Sequence, residues 1–183
     1  MSKEQLIYIA EYILTDMQEP LSYLPKGMIW GLFAALFSIL LELWSAYRGR
    51  KFQWKRVIAY FLLGTYLYVF LEQSFFSRQP GSRSSVNMEF FGVWNNSLRD
   101  KAYTVENLMM FIPFGALVPA CIRKTRTLWS VVPLSFMASV CLEYMQFSTR
   151  RGHCQLDDVL MNTIGGLIGY LVFRLFCKIL KKV

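Results

Sequence analysis

The chain has 183 residues, 55% of them hydrophobic and only 17% charged, with a formal charge of +8 at pH 7. Soluble domains carry about 25% charged residues, so this composition excludes a disordered chain and points away from a water-soluble fold. Four cysteines spread from Cys121 to Cys177 do not make a disulfide-stapled module, and positive charge on so apolar a chain reads as membrane topology, with no nucleic acid as partner.

The first 19 residues lack the basic start of a cleaved signal and carry Glu4, Glu11, Asp16 and Glu19. They read as an amphipathic helix within residues 1–26. Ser2 and Gln5 have capping-box spacing, and Leu6, Ile9, Ala10, Ile13 and Met17 form one apolar stripe that Pro20 is expected to stop. Such a helix belongs flat on the outer interface or against a bundle.

A membrane span needs about 20 apolar residues. Five windows qualify: 27–47, 57–76, 105–122, 128–147 and 159–177. Buried in a soluble fold, five such runs would leave no polar shell to cover them. The fold class is therefore all-α, a polytopic bundle of about five transmembrane helices in a membrane domain over 27–183. The longest connection, 77–104, contains Val86–Trp94, too short to span and too apolar to float free. It reads as a re-entrant or interfacial segment over the outer mouth. Asn95-Asn96-Ser97 matches a glycosylation sequon, a tripeptide common by chance.

Charge distribution sets the orientation. Of the 20 Lys and Arg, 12 fall in three segments: Arg48 to Arg56, Arg123 to Arg126, and the tail from Arg174. Of the 12 acids, only Glu42 shares that side. Basic loops stay cytoplasmic, so the expected location is a bacterial plasma membrane, with the N-terminus outside and the C-terminus cytoplasmic. The net charge is then an orientation signal.

Charged and amide side chains inside apolar spans are functional candidates by default. Glu72 closes the second span and Arg78 follows it. The third span opens with Glu106 and Asn107, and its Pro113 frees the Met109 carbonyl and should bend the helix. Glu143 and Gln146 share one face of the fourth span. Arg150, Arg151, Asp157 and Asp158 lie in the next connection. In the fifth span Asp158, Asn162, Gly165, Gly166 and Gly169 make one stripe, and Gly165 with Gly169 is a GxxxG pair that admits close approach of another helix. All these polar residues sit at one depth near the outer face. Both signs are present, so mutual pairing is the economical arrangement.

The candidate ligand-binding set is Arg78, Asn107, Glu143, Gln146, Arg150, Arg151, Asp157, Asp158 and Asn162. Guanidinium groups suit phosphate or carboxylate, and the amides can donate and accept. If a reaction occurs, Glu143 is the best general-base candidate. His153 stands near two Asp residues, but no His-x-x-x-His or Cys-x-x-Cys accompanies it, so no metal is expected. No Gly-x-Ser-x-Gly, Walker loop or GxGxxG occurs, and nothing requires a cofactor. The spans show no inverted repeat of the kind transporters use.

These polar stations resemble the VanZ-like family of bacterial membrane proteins over about 66–170. The pieces are Ser77-Arg78, then Asn107 through Gly115 with Pro119, and Glu143-Tyr144-Met145-Gln146. Arg151 through Asp158 follows, and last Asn162 through Gly166 with Gly169-Tyr170. Gln155 stands where that pattern often has Glu or Asp. The resemblance implies a plasma-membrane protein of few helices. The family's namesake is linked to low-level resistance to teicoplanin-type glycopeptides, which act on cell-wall precursors outside the membrane. A lipid-linked cell-wall precursor or a lipoglycopeptide is the partner this implies, beside the lipid bilayer itself.

Two readings of the cluster remain open on sequence. In one it lines an outward-facing polar pocket that binds or modifies an envelope lipid or precursor. In the other it only holds helices together in a structural or partner-binding protein.

Overall fold

The structure is a computed structural model that describes residues 2–81, 86–87, 97–152 and 154–180. Helix α1 spans Lys3–Asp16, α2 Gln18–Tyr47 and α3 Trp54–Leu71, which continues as a π turn over Glu72–Phe76. After β1 (Val86–Asn87) come α4 (Leu98–Cys121), a 3-10 turn (Arg123–Thr125), α5 (Leu128–Ser148), β2 (Cys154–Gln155) and α6 (Leu156–Leu180). The two short strands pair in parallel, Val86 with Cys154 and Asn87 with Gln155. Residues 88–96, which carry most of the expected interfacial segment and the two asparagines of the sequon, lie outside the described residues, as do Arg83 and His153.

Five helical stretches are long and apolar enough to cross a membrane. Only 22–33% of the most apolar window of each is buried. Beside apolar side chains such as Phe111 and Val131, the buried set includes the polar Ser38, Glu42, Ser135, Ser139, Glu143 and Asn162. Leu32, Phe33, Leu36, Phe37 and Leu40 of α2, and Leu171, Leu175 and Phe176 of α6, are exposed. This inside-out distribution fits hydrocarbon as the surrounding medium, where apolar surface need not be hidden and polar groups must be.

The caps explain where helices begin. Ser2 Oγ accepts the Gln5 N–H at 3.2 Å, and the Gln5 side chain accepts the Ser2 N–H at 2.9 Å, so the capping box at α1 is complete. Of the expected stripe only Ile9 is buried, and α1 packs chiefly against α4. The helix does not stop at Pro20. The break falls at Met17, and Pro20 sits in the first turn of α2, where a helix lacks partners for its N–H groups anyway. Helix α2 therefore starts well before the apolar window at Gly27. Likewise α4 begins at Leu98, because Ser97 and Asp100 cap each other's backbone N–H reciprocally.

Glycines bring the helices into register. A Cβ on Gly31 would lie 2.7 Å from the Phe61 carbonyl, and one on Gly64 would lie 2.7 Å from the Ala34 Cβ, which zips α2 to α3. A Cβ on Gly115 would strike the Gly166 backbone, one on Gly165 the Leu108 carbonyl, and one on Gly169 the Ile112 carbonyl. So α4 and α6 touch backbone to backbone, and the small stripe of α6 does face another helix. Helix α5 fills the remaining side of α6, with Ser135 against Gly166. Tyr66 of α3 joins the two groups by donating to the Met110 carbonyl at 2.9 Å, one residue beyond the carbonyl that Pro113 frees. Phe70 meets Phe111 edge to face beside it.

The opposite end is closed by one ion pair. Glu42 is 2% exposed and binds Arg56 through one oxygen, while its other oxygen accepts the Gln53 N–H at 3.0 Å. Exposed Trp44, Tyr47, Trp54 and Trp129 occupy this end, as an interfacial aromatic belt would.

Gly115→Val should separate α4 from α6, at a cost of about 1–3 kcal/mol. Thermal unfolding in detergent reads this directly, with lipid-facing Leu171→Ala as the comparison. Equal melting temperatures for the two variants would refute the close-contact account.

Candidate functional site

The site begins with the π turn that ends α3. The Ser77 N–H reaches back to the Glu72 carbonyl at 3.0 Å, one residue further than an α-helix allows. That widening presents carbonyls sideways. The Ser74 carbonyl accepts from Gln146 Nε2 at 2.7 Å, and the Phe75 carbonyl accepts from Arg151 Nη1 at 3.0 Å. The Arg151 guanidinium also lies 4.7 Å from the centre of the Phe75 ring. The end of α3 is thereby tied to the end of α5.

Helix α5 stops in a turn at Arg150, whose φ of 55° lies in the left-handed region usually left to glycine or asparagine. The turn sends the chain back through Arg151 and Gly152 to β2. Gly152 is buried and closely packed: a Cβ there would lie 3.1 Å from Arg78 Nη1 and 3.1 Å from the Gln146 Cβ, so its neighbours would have to give a few tenths of an ångström. The Arg78 guanidinium is therefore laid across Gly152.

Beneath this turn, Glu143 is buried and its Oε2 accepts the Gln155 N–H of β2 at 3.1 Å. Asp158, in the first turn of α6, interacts with the Asn107 side chain of α4. The charge of Arg78 acts on both carboxylates, and the two carboxylates act on each other. Asp157 is buried next to Asp158. About one helical turn deeper, Asn162 Nδ2 donates to Ser139 Oγ at 2.8 Å, while its buried Oδ1 has no hydrogen-bond partner among the described residues. The Cys154 thiol lies close by in β2. Burial first, then the charges of Glu143 and Asp158, raise its pKa above that of an ordinary thiol.

A family model described as VanZ/LLP1 matches residues 57–177. The chain belongs to the VanZ/LLP1 family. No curated protein and no solved structure matches it. The VanZ/LLP1 match runs from Val57 in α3 to Cys177 in α6, so it contains every residue of the cluster and leaves out α1 and α2.

Most of the residues singled out on sequence converge here. Arg78, Asn107, Glu143 and Asp158 form the charged group, with Asp157 beside it, and Gln146, Arg151 and Asn162 form its supports. Arg150 does not join them; its side chain is exposed and has no polar partner among the described residues. Two acids of similar depth face elsewhere. Glu72 interacts with Tyr68, and Glu106 lies in the fields of Asp16 and Arg99. Arg151 is taken by backbone carbonyls, which offer a buried guanidinium fixed acceptors without a second desolvated ion.

Four contributors were not marked as site residues by sequence: Ser74 and Phe75 through their carbonyls, Ser139, and Gln155 through its N–H. At Gln155 the group that holds Glu143 is the backbone N–H, not the side chain. Gly152 was visible only as part of the Arg151–Asp158 motif.

Gln146→Leu keeps the bulk and strands the buried Ser74 carbonyl, so it should lower stability by about 1–3 kcal/mol. Glu143→Gln preserves an acceptor for Gln155 and should melt close to wild type. Thermal unfolding of both in one detergent checks the contrast; the reverse order would contradict it.

Proposed function

We propose that the Arg78–Glu143–Asp158 group is an outward-facing polar site of a bacterial plasma-membrane protein. It binds the charged headgroup of an envelope lipid or lipid-linked cell-wall precursor. The observation that carries the reading is the meeting of one guanidinium and two carboxylates at a single helix mouth, under the β1–β2 pairing. A group made only for packing would do better with apolar side chains. In this reading Arg78 engages phosphate, Asn107 and Asp158 meet sugar or peptide polar groups, and Glu143 is the group able to accept a proton. Teicoplanin-type glycopeptide resistance would follow if the bound molecule is a precursor or the lipoglycopeptide itself.

A second reading has its own observation and applies to other residues. Gln146 and Arg151 end on π-turn carbonyls and Asn162 ends on Ser139, which supports a fastening role for these three. The cluster divides into a site and its frame.

The test is binding of a short-chain lipid-linked disaccharide-pentapeptide to the detergent-purified protein. Arg78→Gln, Glu143→Gln and Asp158→Asn should each weaken it by about tenfold or more, the loss expected for a hydrogen bond to a charged group. Unchanged binding in all three, with melting temperatures intact, would refute the site.

Orientation has a test in Cys154. In a variant keeping only this cysteine, a membrane-impermeant maleimide added to intact cells should label it. A raised thiol pKa means less thiolate at neutral pH, so labelling should be slower than for free cysteine. It should also keep rising above the pH where free cysteine has levelled off. Labelling only after the membrane is opened would reverse the orientation.

A further inference from the structure

The end of the bundle opposite this site carries a second feature that the reading above does not use. A cleft of about 530 Å³ opens between the α2–α3 connection and the 3-10 turn that follows α4. Arg50, Lys51, Arg56, Arg123 and Lys124 line it, with Glu42 at its base. The Glu42 charge is spent, since one oxygen holds Arg56 and the other the Gln53 N–H. Arg56 is fixed in turn: a second nitrogen reaches the Cys121 carbonyl at 3.4 Å, so the floor of the cleft is rigid and ties α2, α3 and α4 together.

The four remaining bases are exposed, and none of their side chains has a hydrogen-bond or ion-pair partner among the described residues. They come from two separate connections that the fold brings to one opening. Four like charges around a concave surface repel one another and concentrate a positive potential there. An anion relieves this, and a cleft of this volume has room for more than a bare phosphate.

Depth selects the source of the anion. Trp44, Tyr47 and Trp54 are 59%, 91% and 67% exposed beside the cleft, and aromatic side chains so placed sit at headgroup level. Tyr60 and Ile122 supply apolar lining next to the bases. We infer that this cleft binds the phosphate headgroup of an anionic phospholipid in the leaflet at the basic end of the bundle. The phosphate lies among Arg50, Lys51, Arg123 and Lys124, and the acyl chains run down the exposed apolar faces of the helices. Basic pockets between transmembrane helices on this side of a membrane are suited to such headgroups.

The experiment measures binding of dioctanoyl phosphatidylglycerol to the detergent-purified full chain, with dioctanoyl phosphatidylcholine and inorganic phosphate as parallel probes. Phosphatidylglycerol should bind with a salt-dependent affinity, and the other two should not compete with it at equal concentration. Each base near a membrane surface contributes roughly fivefold, so Arg123→Gln with Lys124→Gln should weaken binding by about tenfold or more. Lys55→Gln with Lys178→Gln removes the same charge from the same end without touching the cleft, and should leave binding nearly unchanged. The four side chains are exposed and unpartnered, so both variants should melt as wild type does. Equal binding of phosphatidylcholine, equal competition by inorganic phosphate, or equal loss in the two double variants would each overturn the proposal. The outer site contributes no residue to this assay, so its failure would leave the precursor reading standing.

Discussion

The backbone contact between α4 and α6 is the constraint on which the rest of the molecule depends. In a bilayer, apolar side chains gain little by leaving lipid for protein, so helices associate through close packing and a few polar bonds. Gly115, Gly165 and Gly169 supply the close packing, since a Cβ on any of them would strike the backbone of the other helix. That approach sets the distance between Asn107 on α4 and Asp158 on α6, and so the width of the mouth at that end. Helix α5 then has one place to go, and Glu143 arrives under β2. A residue larger than glycine at the contact would therefore widen the mouth as well as loosen the bundle.

The two ends of the bundle solve one problem with different chemistry. A helix pair, α2 with α3, must be fastened to the α4–α6 group at both ends. At the basic end the fastening is ionic, Glu42 with Arg56, supplemented by backbone groups of Gln53 and Cys121. At the other end it is made by side-chain donors on carbonyls that the π turn has turned outward. The second arrangement fastens α3 to α5 without using the carboxylates Glu143 and Asp158. This is the physical basis for separating a site from its frame.

The sequence was informative where one residue type carries its own consequence. Five apolar windows gave five spans, because hydrocarbon admits few alternatives for a chain of that composition. The Ser2–Gln5 cap, the glycine stripe of α6 and the inward turn of Asn162 followed from spacing alone. The ends of α2 and α4 were not legible from hydropathy, since caps and not apolarity decide where those helices begin. Pro20 was misread for a related reason: a proline is a breaker in mid-helix and neutral in a first turn, and only the chain's path tells which. The π turn was invisible, because Glu72–Phe76 has no residue that demands one. With it went the acceptors of Gln146 and Arg151, so the arginines were expected to find carboxylates. The cleft at the basic end was legible only as charge that sets topology; that two loops meet to enclose a volume is a property of the fold.

The chain order of the glycine contact has a consequence in time. Helices enter a membrane as they are made and pack afterwards, and α5 lies between the two partners of the tightest contact. During synthesis α4 must wait, with Gly115 without Gly166 and Asn107 without Asp158, until α6 emerges. Helix α6 brings Asp158 and Asn162 and draws α4 into place. The site therefore exists only once α6 has been made, and a protein interrupted before α6 would carry Glu143 in the membrane without Asp158 or the Gln155 N–H.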